Sequence, residues 1–93
     1  MKYTLKYSNR FKKQVKKMKK RGKDIEKLVN VIKILSNGDK LPQKYKNHIL
    51  IGGEEFENCH ECHIEPDWLL VYRIIDDVMV LLLVQTGAHS DIF

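Results

Sequence analysis

The sequence predicts a single α+β domain in which a hairpin of two helices packs on one face of an antiparallel sheet, in the order β-α-α-β-β-β. One observation supports this fold, and a second argues against a membrane-spanning helix. Helical spacing of apolar residues is confined to the first 40 positions, whereas strand-like alternation and short apolar runs fill the remainder. The longest apolar run, Val78–Val84, is far shorter than the roughly 20 residues that a membrane helix needs. We therefore expect residues 1–93 to form one domain of a soluble, cytoplasmic protein.

The first strand and the first helix follow directly from the N-terminal pattern. Lys2–Tyr7 alternates apolar and polar side chains, which is typical of a half-buried strand. Ser8 then has the right chemistry to cap a helix N-terminus, and Gly22 has the conformational freedom to end that helix. The predicted buried stripe of this helix is Phe11, Val15 and Met18.

A second helix begins after Asp24, which is a favourable N-cap residue, and ends at Asn37-Gly38. Its predicted buried stripe is Ile25, Leu28, Val29, Ile32 and Leu35. Because the connection between the two helices is so short, they are expected to form an antiparallel hairpin.

The second half of the chain is predicted to form strands joined by turns. These strands are Lys44–Ile51, Phe56–Glu65, Trp68–Ile75 and Val78–Gln85. Gly52-Gly53 closes the first of them, and Asp76-Asp77 forms a tight hairpin turn between the last two. Consecutive hairpin strands imply an antiparallel sheet with both helices on one face, so the opposite face is expected to be partly open and available for a site.

The charge is distributed very unevenly along the chain. Residues 1–33 contain 13 Lys and Arg against two acidic residues, whereas residues 34–93 contain four against ten. Such a basic half favours a polyanionic partner, because cationic side chains neutralise phosphates and release counterions. The alternative interpretation is a lysine-rich helix face that serves only solubility.

The segment around Cys59–His63 contains residue types that bind zinc. Two thiols and two imidazoles lie within five positions, with one C-x₂-C spacing. Successive side chains of a strand point to opposite faces, however, so the four groups cannot meet around one tetrahedral ion. No metal and no other cofactor is therefore expected, and two cysteines so close together do not resemble a disulfide framework.

The same alternation predicts which residues face the helices. Cys62 and Ile64 are apolar and should face the core, which places His63 and Glu65 on the open face. His48 precedes the Gly-Gly turn and His89 follows the last strand, so both can reach that face from other directions. Three imidazoles with the carboxylate of Asp67 would supply a general acid, a general base and an orienting group without a metal.

Two blocks of the sequence carry a resemblance to a known family. ECHIEPDW at Glu61–Trp68 and QTGAHSDIF at Gln85–Phe93 resemble the YafQ branch of the RelE/ParE toxin superfamily. The element order and the lysine-rich helices are also similar, so the resemblance covers essentially the whole chain. It implies a RelE-like fold and the toxin of a type II toxin–antitoxin pair.

The resemblance also implies an activity and its partners. Such toxins are endoribonucleases that cut messenger RNA in the ribosomal A site, and a small RelB/DinJ-like antitoxin neutralises them. Carried over by position, the resemblance implies a catalytic role for His48, His63, Asp67 and His89. The residues expected to bind substrate are Gln85, Phe93, Arg73, Lys13, Lys16, Lys17 and Lys20.

Three positions depart from the family pattern. Gln85 stands where an arginine is usual, and Cys59 and His60 replace an aromatic residue and an arginine of many members. Losing cations from an anion site weakens stabilisation of transition-state charge, for which Arg73 or the helix lysines are expected to compensate. Two other functions remain open at this point, namely a ParE-like toxin that acts on DNA gyrase and a non-catalytic RNA- or ribosome-binding module.

Overall fold

The computed structural model describes residues 1–51 and 56–93, so the predicted Gly52-Gly53 turn lies outside the described residues. The main elements are β1 (Thr4–Tyr7), α1 (Asn9–Lys20), α2 (Ile25–Ser36), β2 (His48–Ile49), β3 (His60–Glu65), β4 (Trp68–Ile75), β5 (Val80–Gly87) and α3 (His89–Ile92). The β-α-α-β-β-β order is thus confirmed, with a short C-terminal helix added. Within the described ranges, no helix is long and apolar enough to cross a membrane.

Both predicted helix caps are present. The Ser8 hydroxyl accepts a hydrogen bond from the backbone N–H of Phe11 at 2.9 Å, and the Asp24 carboxylate accepts one from Glu26 at 3.1 Å. α1 ends where Gly22 adopts a positive φ of 83°, which a residue without a Cβ adopts at little cost. The helix hairpin therefore has the bounds that its capping residues predict.

The five strands of residues 1–51 and 56–93 form one mixed sheet in the order β1-β5-β4-β3-β2. Adjacent strands are antiparallel except at one edge, where β1 pairs with β5 in parallel and Leu5 lies opposite Leu81. The prediction of a wholly antiparallel sheet is wrong at this edge. The helix hairpin carries the chain away from β1, and β5 later enters beside β1 in the same direction.

Two connections differ from the predicted ones. A 3₁₀ turn at Gln43–Tyr45 replaces the start of the predicted strand at Lys44–Ile51, so only the two residues of β2 pair with β3. The β4–β5 connection is a 3₁₀ turn at Asp76–Val78 that ends with Met79 at a φ of 52°, and it is longer than the predicted two-residue turn.

The main core lies between the helices and one face of the sheet. Cys62 and Ile64 belong to it, as the alternation predicts, together with Trp68 and Tyr72. Leu69 and Val71, which alternate with core residues along β4, are also fully buried although they lie outside that cluster. The second face is therefore less open in its middle than predicted.

Glu65 does not share the face of His63. The β3–β4 register shifts between His63 and Glu65, and such an irregularity breaks strict alternation. The Glu65 carboxylate instead contacts the Nζ atoms of Lys23 at 2.9 Å and Lys27 at 2.8 Å. The predicted placement of Glu65 on the open face is thus wrong, and this carboxylate joins the end of β3 to the helix hairpin.

This contact predicts a pH-dependent contribution to stability. Hydrogen bonds from Lys23 and Lys27 lower the pKa of Glu65 below its ordinary value of 4.5. A carboxylate with a lowered pKa in the folded state stabilises that state above its ordinary pKa, and the contribution is lost as the pH falls further. We expect the Glu65→Gln variant to lose less unfolding free energy than the wild type between about pH 6 and pH 3. Urea titrations across this range measure the difference, which should be small and should shrink in 1 M salt because these ion pairs are partly exposed. Parallel pH curves for the two proteins would contradict the assignment.

Candidate active site

The imidazoles of three histidines from separate segments of the chain lie close together. His48 is on β2, His63 is on β3 and His89 begins α3. The ring centroids of His48 and His63 are 6.3 Å apart, and those of His63 and His89 are 6.0 Å apart. The fourth histidine, His60, points to the other face and stacks on Tyr72, with a centroid distance of 5.4 Å. The structure thus brings together the three histidines that the sequence predicts.

A buried carboxylate lies between two of these rings. Oε1 of Glu61 is 3.4 Å from Nε2 of His48 and 3.6 Å from Nε2 of His63, and the Glu61 side chain is only 6% exposed. Sequence reasoning did not select Glu61 as a site residue. Strand alternation, which puts Glu61 on the same face as His63, is the sequence signal that could have identified it. A carboxylate in this position stabilises positive charge on either ring.

Backbone carbonyls fix the orientation of the same two rings. The Nδ1 atoms of His48 and His63 lie 2.9 Å from the Lys46 carbonyl and 3.3 Å from the Pro66 carbonyl, respectively. Because a carbonyl oxygen only accepts hydrogen bonds, each Nδ1 is the nitrogen that carries a proton and donates it. In a neutral ring, Nε2 then has a free lone pair, so Nε2 is the atom that can take up a proton.

His89 is oriented by Asp67. Its Nδ1 donates to Oδ1 of Asp67 at 2.8 Å, and its backbone N–H donates to the same oxygen at 3.2 Å. The side-chain hydrogen bond from His89 lowers the pKa of Asp67 below its ordinary value of 3.8, so the carboxylate is ionised at neutral pH. The predicted turn residue Asp67 is therefore also the partner that holds the third imidazole.

Two aromatic residues near the site differ in exposure, since the Phe93 ring is exposed and the Trp68 ring is buried. Phe93 is 60% exposed, and its ring centroid is 6.5 Å from that of His89 and 5.4 Å from that of Phe56. Trp68 is fully buried and donates its indole N–H to the Thr86 hydroxyl at 3.0 Å. Phe93 is thus available for stacking, while Trp68 is a packing residue, as expected for an aromatic residue that opens a strand.

Two predicted substrate-binding residues lie apart from the imidazoles. Gln85 is opposite Val71, which in turn is opposite Glu61, but its side chain is buried and accepts a hydrogen bond from Gln14 at 3.4 Å. Direct contact with a substrate would require this amide to move. Arg73 lies further along β4 and lines an open cavity of about 440 Å³ that includes His60.

The predicted lysines all lie on α1 and are exposed at its surface; they are Lys13, Lys16, Lys17 and Lys20. Lys17 differs from the others because its Nζ is 3.6 Å from Oδ1 of Asp91, in the C-terminal helix that begins with His89. One of these lysines therefore also has a contact within the protein.

The cysteine–histidine run does not form a common ligand set in the structure. Cys62 is fully buried in the main core, and its burial raises the pKa of the thiol to about 12. Burial lowers the pKa of the His60 imidazole, because the charged form of this group is the protonated one. Among residues 1–51 and 56–93, no group of three His, Cys, Asp or Glu side chains has a metal-binding arrangement.

The fold and the site together define a small basic α+β protein with clustered imidazoles and carboxylates beside a lysine-rich helix. The chain belongs to the YafQ family of bacterial toxins of type II toxin–antitoxin systems, which matches residues 3–93. This membership confirms the resemblance carried by Glu61–Trp68 and Gln85–Phe93, and it favours a YafQ toxin over a ParE-like one.

Individual relatives agree over almost the full length. The chain is 37% identical to the mRNA interferase toxin YafQ of Escherichia coli K12, over 96% of this chain and 94% of that protein. It is also similar to the crystal structure of a metal-bound toxin from Helicobacter pylori, with 40% identity, a TM-score of 0.89 and coverage of 98% and 99%. The E. coli DinJ–YafQ complex is a third match, with 36% identity, a TM-score of 0.87 and coverage of 98% of each chain.

Proposed function

We propose that this chain is an endoribonuclease that cleaves messenger RNA in the ribosomal A site by general acid–base catalysis. The observation that carries the proposal is the convergence of His48, His63 and His89 around the carboxylates of Glu61 and Asp67. The name of the E. coli relative, an mRNA interferase, supports the same reaction class.

The chemistry of RNA suits these groups because the substrate contains its own nucleophile. A base removes the proton of the 2′-OH, the freed oxygen attacks the adjacent phosphorus, and an acid protonates the departing 5′-oxygen. The products are a 2′,3′-cyclic phosphate, which can open to a 3′-phosphate, and a 5′-OH end. Imidazoles perform both proton transfers near neutral pH.

We assign His48 as the general base. Its Nδ1–H is held by the Lys46 carbonyl, which leaves the Nε2 lone pair to receive the proton of the 2′-OH. The imidazolium that results has Glu61 Oε1 at 3.4 Å, so a buried negative charge stabilises it. His63, whose Nε2 is near the same oxygen, would position the scissile phosphate.

We assign His89 as the general acid. The ionised Asp67 carboxylate that accepts from Nδ1 stabilises the protonated ring, and Nε2 is the nitrogen left to donate to the leaving 5′-oxygen. This is the role that a carboxylate plays beside histidine in other acid–base sites. Phe93, exposed next to His89, would stack on an unpaired base and align the message.

We further propose a cognate antitoxin as the partner that silences the toxin. The E. coli relative forms a complex with DinJ, and the basic first third of this chain favours an acidic segment that orders on binding. Such a segment would lie over the helices or the imidazole face and block access of RNA.

The proposal is tested by mapping cleavage products on a translated message, with and without ribosomes. We expect cuts only on ribosome-bound message, with 5′-OH ends and cyclic or 3′-phosphate ends. We also expect a protein stripped by chelator to cleave at the unchanged rate when magnesium alone is restored for the ribosomes, because imidazoles suffice for both proton transfers. Cleavage that returns only with one transition-metal ion per chain would contradict this part of the proposal.

The α1 lysines are predicted to supply affinity rather than chemistry. Changing Lys13, Lys16 and Lys20 to alanine should weaken ribosome binding and reduce the slope of log affinity against log salt by about one unit or less per contact. The maximal single-turnover rate should stay nearly the same. Lys33→Ala, which removes an exposed charge from α2, is the matched control and should leave the slope unaltered. A triple variant with an intact salt slope and a reduced maximal rate would show that these lysines act in the chemical step instead.

A further inference from the structure

The C-terminal helix that bears His89 and Phe93 is too short to be stable alone. α3 has four residues, and a single helical turn in isolation is unfavourable because nucleation fixes several dihedral angles for one hydrogen bond. The backbone hydrogen bonds at its ends run from Asp91 N to the Ala88 carbonyl at 3.0 Å and from Phe93 N to the His89 carbonyl at 2.9 Å. The position of His89 therefore depends on contacts with the rest of the protein.

One such contact joins α3 to the end of α1. The Arg21 guanidinium donates to both carboxylate oxygens of Asp91, from Nη1 to Oδ2 at 2.6 Å and from Nη2 to Oδ1 at 3.0 Å. This two-bond geometry restricts orientation as well as distance. Arg21 is itself well placed, since its N–H donates to the Lys17 carbonyl as the C-cap of α1 and its Nη1 lies 3.6 Å from Sδ of the buried Met18.

The same carboxylate also closes the start of α3. Oδ2 of Asp91 accepts a hydrogen bond from the Ala88 N–H at 2.8 Å, and the Asp91 side chain is only 11% exposed. Gly87, at a φ of 151°, leaves room for it, because a Cβ at position 87 would lie 2.9 Å from Cβ of Asp91. Asp91 thus joins the N-terminus of α3, immediately after β5, to the end of α1.

Two of the side-chain contacts that hold α3 lie on opposite sides of its single turn. His89 contacts Asp67, in the connection between β3 and β4, and Asp91 contacts Arg21. Residues two apart in a helix are separated by about 200° around its axis, so these contacts hold the turn from both sides. Neither the Asp67 contact nor the Arg21 contact alone would fix the rotation of the turn about its axis.

We propose that Arg21 and Asp91 are positioning residues that fix the C-terminal turn and thereby set His89 against His63 and Phe93 beside His89. The inference rests on the proposed function in so far as His89 is the general acid, but the placement itself is measurable without RNA. Arg21, the C-cap residue of α1, thus contacts a carboxylate of the same protein instead of a phosphate.

The proposed role of Arg21 in holding α3 in place is tested by hydrogen exchange in the free toxin. In Arg21→Ala, we expect the amides of Asp91 and Phe93 to exchange at least about tenfold faster than in the wild type, with core strands unchanged. Gly87→Ala, which displaces Asp91 by a different route, should loosen the same amides. Arg21→Lys keeps the charge but loses one of the two bonds and should give an intermediate result. Equal protection of these two amides in wild type and Arg21→Ala would overturn the inference.

The functional half is tested by single-turnover cleavage at saturating toxin. Arg21→Ala should lower the maximal rate about tenfold and change ribosome binding no more than Lys33→Ala does, with partial recovery in Arg21→Lys. A maximal rate equal to that of the wild type would overturn the positioning role. If the wild type itself leaves messages intact, the proposed function fails, and the exchange comparison then decides the placement by itself.

Discussion

Replacing His89 with alanine is expected to lower the maximal single-turnover rate of message cleavage at least about a hundredfold and to abolish toxicity. The Asp67–His89 contact of 2.8 Å holds the imidazole at the site, and alanine removes the group proposed to donate to the leaving 5′-oxygen. Ribosome binding should be nearly normal, because the lysines of α1 are expected to supply most of the affinity. A lower maximal rate with unaltered binding is what loss of a group acting only in the transition state produces.

His60→Gln is the matched control for this experiment. His60 is also an imidazole of β3, but it stacks on Tyr72 on the other face of the sheet. Its rate at saturation should equal that of the wild type, provided that near-ultraviolet circular dichroism shows a folded protein. If His89→Ala keeps a near-wild-type rate at saturation, His89 is not the acid and His63 becomes the next candidate. Ribosome binding by the wild type without any cleavage of the message would instead favour a non-catalytic binding module.

The Glu61→Gln variant is expected to show the second largest effect, a fall of about 10- to 100-fold in the same maximal rate. Glutamine has nearly the shape of glutamate but no charge, so the imidazolium formed on His48 loses the carboxylate that lies 3.4 Å from Nε2. Its amide can also donate to that Nε2 and occupy the lone pair that the base needs.

Glu65→Gln separates this effect from a general loss of charge on β3. Glu65 belongs to the same strand but contacts Lys23 and Lys27 on the helix side. We expect its cleavage rate to match that of the wild type, whereas Glu61→Asp should recover part of the rate lost in Glu61→Gln. Equal rates for Glu61→Gln and wild type would remove Glu61 from the mechanism.

Local signals in the sequence predicted most of the fold. Ser8 and Asp24 are capping residues whose side chains satisfy backbone N–H groups within three positions, so their effect can be read from neighbouring residues alone. The pairing of β1 with β5 was not predictable in this way. Alternation tells which side chains share a face, but it does not tell which strand lies beside which, and Leu5 and Leu81 are far apart in the chain.

In the candidate site, too, local sequence patterns do not predict every side-chain contact. Alternation placed His63 correctly but failed for Glu65, since the register shift between them is a three-dimensional feature without a clear local signature. The Arg21–Asp91 contact joins residues 70 positions apart, and each alone resembles an ordinary surface charge. The family resemblance pointed to His48, His63, Asp67 and His89, and the structure added Glu61, which lies between two of them.

Cleavage of a message with one 2′-deoxynucleotide at the mapped cut site tests directly whether the substrate's own 2′-OH is the nucleophile. We expect wild-type toxin to leave this bond intact and to cut the all-ribose message on identically prepared ribosomes, because the proposed nucleophile is the substrate's own 2′-OH. Single-turnover rates on the deoxy and ribose messages, compared at equal occupancy of the ribosome, provide the test. Cleavage of the deoxy message at the ribose rate would contradict the proposed acid–base mechanism and would require an external nucleophile.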